Sequence, residues 1–474
     1  MVDVGDIKSL LPSSAQLASE FVGTYLLVLT VACNIINQTS VFAAVSIAAV
    51  LMVSIYALGP ISGANFNPAV SLALSLTYEA ADDGGDRVSK QPWLTTACYI
   101  GVQLVGACTA ATTYFGIFGQ VIHLGPKPGF TWAAAMLVET VFTFLLCFVV
   151  LNVAATEGYG GSKKANQFYG VAIGFVIVAG GYAGGWISGG VFNPAVAVGI
   201  DMLGLSTSRG AFLAYTLFEL LGAAAAAAAF RVIRPGENKE NSGTMENDGK
   251  KGATPQLFCE FLGTFILVFT IGLNVLQGPS NHAAVYSIAA ALLVSIFAMG
   301  DVSGGHFNPA VSIAIYCLGH CEAEKMAKYI SVQIVGGIAA AMVYTLLVQR
   351  SFPLGPGPGF GWASVCVVEF IFTTLLCFTV LSVCFVEGKK LPDYAGLAIA
   401  FTIVAGGYAI GGISGGALNP AVSIGIDVAN SLMGGIFWAC LPYVGAQAAA
   451  GGAAAGMYYL TRLSKQGKQD EASA

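Results

Sequence analysis

The chain of 474 residues is 56% hydrophobic and only 9% charged, with a mean hydropathy of +0.75 and a formal net charge of −5. Soluble domains carry about 25% charged residues, so this sequence cannot solvate its own surface; soluble, disordered, collagenous and disulfide-scaffold classes are excluded. The acidic balance offers no basic face to nucleic acid, and apolar runs of about 20 residues, the length of a bilayer-crossing helix, recur from end to end.

The opening segment MVDVGDIKSLLPSSAQ has no basic region leading into an apolar core and is not expected to be a cleaved signal. Predicted spans follow at 16–36, 41–59, 94–115, 131–155, 167–187 and 211–232. A polar, Gly- and Asn-rich stretch at 233–256 cannot bury apolar area and is expected to be a flexible linker. The pattern then restarts, with spans near 257–276, 283–300, 327–348, 361–386, 394–412 and 434–460. The expected organisation is two six-span units at 1–232 and 257–462, joined by the linker and followed by a polar tail at 463–474.

The halves repeat one another. SGANFNPAVSLAL from Ser62 matches SGGHFNPAVSIAI from Ser303, and LGPKPGFTWAAAMLVE from Leu124 matches LGPGPGFGWASVCVVE from Leu354. ISGGVFNPAVAVGID from Ile187 likewise matches ISGGALNPAVSIGID from Ile413. A weaker repeat lies inside each half, opened by Glu20 and Glu139 in the first and by Glu260 and Glu369 in the second. Three spans, an odd number, separate these copies, so they insert with opposite orientation, the inverted 3+3 repeat of many channels and transporters. Placing both termini on one side gives that side all but Lys127, Arg209 and Arg350 of the 20 basic residues. Among them are Lys8, Arg87, Lys90, Lys163, Lys164, Lys389, Lys390, Lys465 and Lys468. Termini and linker are therefore expected in the cytoplasm.

Four Asn-Pro-Ala boxes carry the functional signal: Asn67, Pro68 and Ala69; Asn193, Pro194 and Ala195; Asn308, Pro309 and Ala310; Asn419, Pro420 and Ala421. Each follows a Ser-Gly stretch and precedes an apolar run too short to span. Asn is a favoured N-cap and Pro suits the first helical position, so each box predicts a short re-entrant helix. Irregular backbone at that depth is tolerated only where it is buried in protein or lines a water-filled cavity. Two such N-termini meeting at mid-membrane would place partial positive charge and two amide donors beside a passing solute oxygen.

On these residues the sequence resembles the aquaporin, or major intrinsic protein, family, as two complete aquaporin-like pore units fused in tandem. The resemblance implies an all-α polytopic membrane protein. Each unit would hold six transmembrane helices and two re-entrant half-helices around one pore. It also implies four-pore assembly, which a homodimer of this chain would supply as a pseudo-tetramer, alone or within a larger membrane assembly. No cofactor or metal is expected. The family's outer filter maps onto Ile47, Gly181, Gly190 and Val196 in the first half and Ile288, Gly407, Gly416 and Val422 in the second. The arginine that usually follows the second box is replaced by valine in both. Loss of a guanidinium, an aromatic ring and an imidazole favours larger or less polar neutral solutes of the glycerol, urea and ammonia class. A narrow apolar ring can instead close by dewetting, and Tyr182, Trp186, Phe192 or Tyr408 could refill the gap.

Other polar residues have blander readings. The four repeated glutamates are expected to be structural carboxylates that accept backbone N–H bonds from the re-entrant loops, as the resembling family's glutamates do. Glu219, before the alanine run Ala223 to Ala229, has no counterpart glutamate in the other half and reads as an interface or vestibule residue. Asp201 and Asp427 are read as loop caps or as vestibule charges that attract cations, and His306, matching Asn65, as a loop hydrogen-bonder. The 11 cysteines lie mostly in apolar spans without a CxxC pair, and four histidines do not suggest a metal site. No nucleophile–base pair or phosphate loop suggests an enzyme. The functional alternatives are a passive channel for water and small neutral solutes, a structural or poorly conducting membrane subunit, and a coupled secondary transporter.

Overall fold

The computed structural model describes residues 11–39, 41–79, 88–89, 91–156, 166–204, 210–235, 253–385 and 392–462. The tail at 463–474, most of the linker and many of the basic residues used to orient the chain (Lys8, Arg87, Lys90, Lys163, Lys164, Arg209, Lys389, Lys390, Lys465 and Lys468) lie outside these residues. The chain divides near residue 252 into two compact units.

Unit 1 is built from α1 (Ser14–Ile36), α2 (Ala43–Ser62), α3 (Pro68–Ser75), α4 (Trp93–Phe118), α5 (Trp132–Val153), α6 (Tyr169–Ser188), α7 (Pro194–Asp201) and α8 (Ala211–Ile233). The sequence marks several of these ends. A reciprocal capping box between Ser13 and Gln16 starts α1, and the Thr131 side chain caps α5. Left-handed Gly63 and Gly189 stop α2 and α6 and turn the chain back toward the interior. A short antiparallel pairing of Tyr78–Glu79 with Val88–Ser89 is the sheet among the described residues.

The packing follows the inverted repeat. Helix α1 packs on α4 as α5 packs on α8, and α2 meets α6 across the repeat boundary. The half-helices cross over: α3 packs on α8, and α7 on α4. Small residues permit these approaches, because without a hydrophobic force between helices in lipid, close backbone packing holds them together. A Cβ added at Gly222 of α8 would stand 2.6 Å from the Thr140 carbonyl oxygen of α5, and one at Gly106 of α4 would stand 2.8 Å from that of Phe21 on α1.

Unit 2 repeats the plan with α9 (Ala253–Gln277), α10 (Ala284–Ser303), α11 (Pro309–Cys317), α12 (Ala323–Val348), α13 (Trp362–Cys384), α14 (Ala395–Ser414), α15 (Pro420–Leu432) and α16 (Cys440–Leu460). Pairs α9–α12, α13–α16 and α10–α14 reproduce the contacts of unit 1. Among the described residues, 11 helices are long and apolar enough to cross a membrane. The long helix outside that set is α16, rich in Ala and Gly and carrying Gln447. It begins at Cys440 rather than near 434, because left-handed Gly434 and a short 3-10 turn at Phe437–Ala439 occupy the intervening stretch.

Candidate pore and its supporting carboxylates

The four boxes form the local structure their residues dictate. Asn67, Asn193, Asn308 and Asn419 each cap a short helix with proline at its start, and each Oδ1 accepts the backbone N–H two residues on at 2.9 Å. The same amides reach across to the opposed loop. Asn67 Nδ2 donates to the Phe192 carbonyl and Asn193 Nδ2 to that of Phe66, both at 2.9 Å. In unit 2, Asn308 donates to Leu418 and Asn419 to Phe307 at the same distance. One amide hydrogen per asparagine is thereby spent, and one remains.

The accepting carbonyls belong to strained residues. Phe66, Phe192, Phe307 and Leu418 have φ of 49°, 53°, 47° and 52°, in the left-handed region that costs a residue with a side chain about 1–2 kcal/mol. A buried glutamate holds each loop in this shape. Glu20 of α1 accepts Ser62 Oγ at 2.7 Å and the Asn65 and Phe66 N–H groups at 2.9 and 2.8 Å. Glu139 of α5 accepts Ser188 Oγ, Val191 N–H and Phe192 N–H at 2.6, 3.1 and 2.8 Å. Glu260 takes Ser303, His306 and Phe307, and Glu369 takes Ser414, Ala417 and Leu418, by the same atoms at 2.6–3.0 Å. Bonds to a charged acceptor contribute about 1.5–3 kcal/mol each, so three per loop outweigh the strain.

Glu219 is buried on α8, where its Oε1 accepts the Asn193 N–H at 2.9 Å. It is neither an interface nor a vestibule residue: the close approach of α8 to α5 puts it behind the pore loop. Asp201 and Asp427 are likewise fully buried rather than vestibule charges. Asp201 accepts from Leu124 and Phe212 at the start of α8, and Asp427 from Cys440 at the start of α16. His306 donates its backbone N–H to Glu260, and its Nδ1 lies 3.0 Å from Ser312 Oγ, where Asn65 uses an amide on Ser71.

Comparison with known proteins gives this arrangement its place. The sequence model of the major intrinsic protein family matches residues 8–175, 131–278 and 272–459. The chain belongs to the major intrinsic protein family. It is 32% identical over 227 residues to the probable aquaporin AqpM of Archaeoglobus fulgidus, covering 40% of this chain and 92% of that one. It is 36% identical over 179 residues to glycerol uptake facilitator protein-like 6 of Lactiplantibacillus plantarum, covering 35% and 80%. Nodulin-26 of Glycine max is 33% identical over 227 residues, covering 46% and 79%. Family membership and the apolar helices make this an integral, multi-pass membrane protein.

The two family units differ beside their boxes. In unit 2 a single cavity of about 400 Å³ is lined by Ile288, Gly407, Gly416 and Val422 together with Asn308 and Asn419. In unit 1 the space is divided. About 50 Å³ lies beside Asn67 and Asn193, with Ile47, Gly190 and Val196 in its wall, and a separate recess of about 430 Å³ is lined by Lys127, His123 and Gly189 among others. Gly181 does not line the smaller space, although it lies beside Gly190, whose added Cβ would stand 3.5 Å from the Gly181 Cα. Val191 lines both unit 1 spaces, and its counterpart in unit 2 is Ala417. Of the four aromatic residues expected to refill the filter, Phe192 lines the lumen. Tyr182 instead bonds the Val41 carbonyl, Trp186 packs on Phe130, and Tyr408 packs on Tyr286.

Lys127 and Val191 escaped the sequence reading, although the repeats carry the signal. Lys127 stands where unit 2 has Gly357, each donating its N–H to the matching isoleucine carbonyl, Ile187 or Ile413.

Glu260→Gln tests the carboxylate clamp. An amide offers one acceptor oxygen where the loop needs two, and each orphaned buried donor costs about 1–3 kcal/mol. The variant should lose its monodisperse size-exclusion peak at a clearly lower temperature than wild type. Glu324→Gln, which breaks only the exposed pair with Lys328, should leave that temperature unchanged.

Proposed function

We propose that this chain is a passive channel for water and small neutral solutes of the glycerol, urea and ammonia class, with one conduction path in each unit. The observation that carries the reading is the reciprocal pair of asparagine amides beside a cavity in each unit. Similarity to an aquaporin and to a glycerol uptake facilitator supports the solute class. Each path would be apolar along most of its wall, with one free amide hydrogen per asparagine as a donor at the centre. Opposed half-helix N-termini contribute roughly half an elementary charge apiece there, which disfavours cations while a neutral molecule passes. No chemical step and no cofactor is required.

The filter sets Ile47, Gly181, Gly190, Val196 and Ile288, Gly407, Gly416, Val422 strip few waters from a solute, because none offers a side-chain donor. The reading therefore favours polyols and amides over strict water selectivity, above all in unit 2 with its larger cavity. For unit 1 the divided space supports a second reading, that of a poorly conducting or hydrophobically gated path: about 50 Å³ holds a few waters but no continuous column. Termini and linker are assigned to the cytoplasm from the distribution of basic residues. Two chains would together supply four paths as a pseudo-tetramer.

Proteoliposomes carrying the full chain should shrink rapidly under an impermeant osmolyte in stopped-flow light scattering, then re-swell with glycerol and urea. Rates equal to bare lipid would oppose the channel reading, and flux that needs an ion gradient would support a transporter. Val196→Arg combined with Val422→Arg restores fixed donors to both filters. It should cut glycerol flux about tenfold, a barrier increase of about 1.4 kcal/mol, while lowering water flux less; equal loss of both would count against this account of the filter. Val191→Ala should raise glycerol flux by joining the two spaces of unit 1, and Ala417→Val should lower it in unit 2. The same stopped-flow assay checks both.

A further inference from the structure

Each loop-holding glutamate meets a second polar side chain from the last long helix of its repeat, and in three repeats that side chain is glutamine. Gln103, Gln333 and Gln447 donate Nε2 to Glu20, Glu260 and Glu369 Oε2, all at 2.8 Å. The matching half-helices carry a serine four residues after the box asparagine. Ser71 and Ser312 accept from Gln103 and Gln333 at 3.2 and 3.1 Å, and Ser423 donates to Gln447 Oε1 at 3.2 Å. In the second repeat of unit 1 both members change. Glu219 stands in the place of the glutamine, and Ala197 in the place of the serine.

The change removes a donor at a fully buried position. Glu219 Oε1 is taken by the Asn193 N–H, the next along the chain after the Phe192 N–H that Glu139 Oε2 accepts, so the two carboxyls hold successive backbone groups of one loop. Glu219 Oε2 has no partner. Glu139 already accepts from Ser188, Val191 and Phe192 and has no hydrogen to give as a carboxylate. Two ionised carboxylates would leave oxygen facing oxygen where the other three repeats place an N–H···O bond. A protonated carboxylic acid is an O–H donor, so one proton restores the pattern.

The titratable groups around the pair supply no substitute for that proton. On α5 the titratable groups facing the pair are Glu139 itself and Cys147. On α8 it is Tyr215, whose hydroxyl is spent on the Ser188 carbonyl. On α7 it is Asp201, spent as a cap on Leu124 and Phe212, and α3 contributes no titratable side chain. α3, α5 and α7 carry no lysine or arginine, and the one on α8, Arg231, stands in its last turn.

We propose that Glu139 and Glu219 form a one-proton binding site in which Glu219 carries the hydrogen and donates it to Glu139. This shared hydrogen fixes the loop at 190–193 that lines the unit 1 cavity. The loop hangs on both carboxyls: Val191 and Phe192 on Glu139, Asn193 on Glu219. Removing the proton places two like charges behind Asn193 and loosens the cap of α7. The proton is thus a ligand of unit 1, whereas in unit 2 Gln447 does the same work with a permanent amide.

Difference infrared spectroscopy on the full chain in lipid tests this directly. At neutral pH the wild type should show a protonated-carboxyl C=O band that shifts in D2O and disappears in Glu219→Gln, and Gln447→Glu should add a second such band. A wild-type spectrum unchanged by Glu219→Gln would overturn the proposal. Deuterium exchange over residues 188–196 gives an independent reading. Wild type should show a cooperative rise at alkaline pH beyond the intrinsic base-catalysed trend, and Glu219→Gln should show none; the same profile in both would also overturn it. Neither readout depends on permeation, so failure of the channel reading and failure of this one are separable.

Discussion

The structure depends on a carboxylate buried in the first long helix of each repeat. A chain that turns back inside a membrane exposes backbone N–H groups where no water can satisfy them, at several kcal/mol apiece. It must also pass through a left-handed residue that is not glycine, at Phe66, Phe192, Phe307 and Leu418. Glu20, Glu139, Glu260 and Glu369 answer both demands by accepting two successive N–H groups and a serine hydroxyl. The dependence is mutual, since a carboxylate at that depth is itself tolerable only when its lone pairs are filled. Neither loop nor glutamate is stable there alone.

Once the loop is fixed, the rest of the pore centre follows with little freedom. The left-handed residue directs its carbonyl toward the opposed box, and the box asparagine spans the gap with one hydrogen while its oxygen caps its own helix. A pair of amide bonds thus joins the two inverted repeats at the half-helix tips, in addition to the helix packing of α2 on α6, α3 on α8 and α7 on α4. The arrangement fixes the separation of the half-helix tips and leaves lumen width to the surrounding side chains. That is why two units with the same central bonds enclose such different spaces.

Much of this was legible in the sequence, and what was missed has a physical pattern. The boxes and the four glutamates stood out because the chain repeats them fourfold, at spacings that a half-helix and a three-span unit impose, whereas the filter positions came only from counting along the resembling family's pattern. The partners of those glutamates were not singled out. Gln103, Gln333 and Gln447 sit on separate helices, and a polar residue in an apolar span does not announce what it bonds. Glu219 was conspicuous, yet the sequence left its role undecided for the same reason, since the closeness of α8 to α5 depends on backbone contact at Gly222. Lys127 and Val191 were readable by subtraction, as the residues at which nearly identical segments of the two halves disagree.

Charge exclusion separates what the two units share from what they do not. Val196 and Val422, not an arginine, follow the second box of each unit, so the positive charge at the centre is that of the half-helix dipoles. These act between apolar walls, where buried partial charges are screened far less than charges at a surface. Lys127 adds a whole charge to unit 1, but it is exposed in an open recess, where salt screens it over about 8–10 Å. Its field in that recess therefore falls with ionic strength. The capped half-helix ends at the asparagines are common to both units and, being buried, are screened little by salt. The two units thus differ at Val191 against Ala417, at Lys127 against Gly357, and at the carboxyl pair behind Asn193, all laid on one duplicated scaffold.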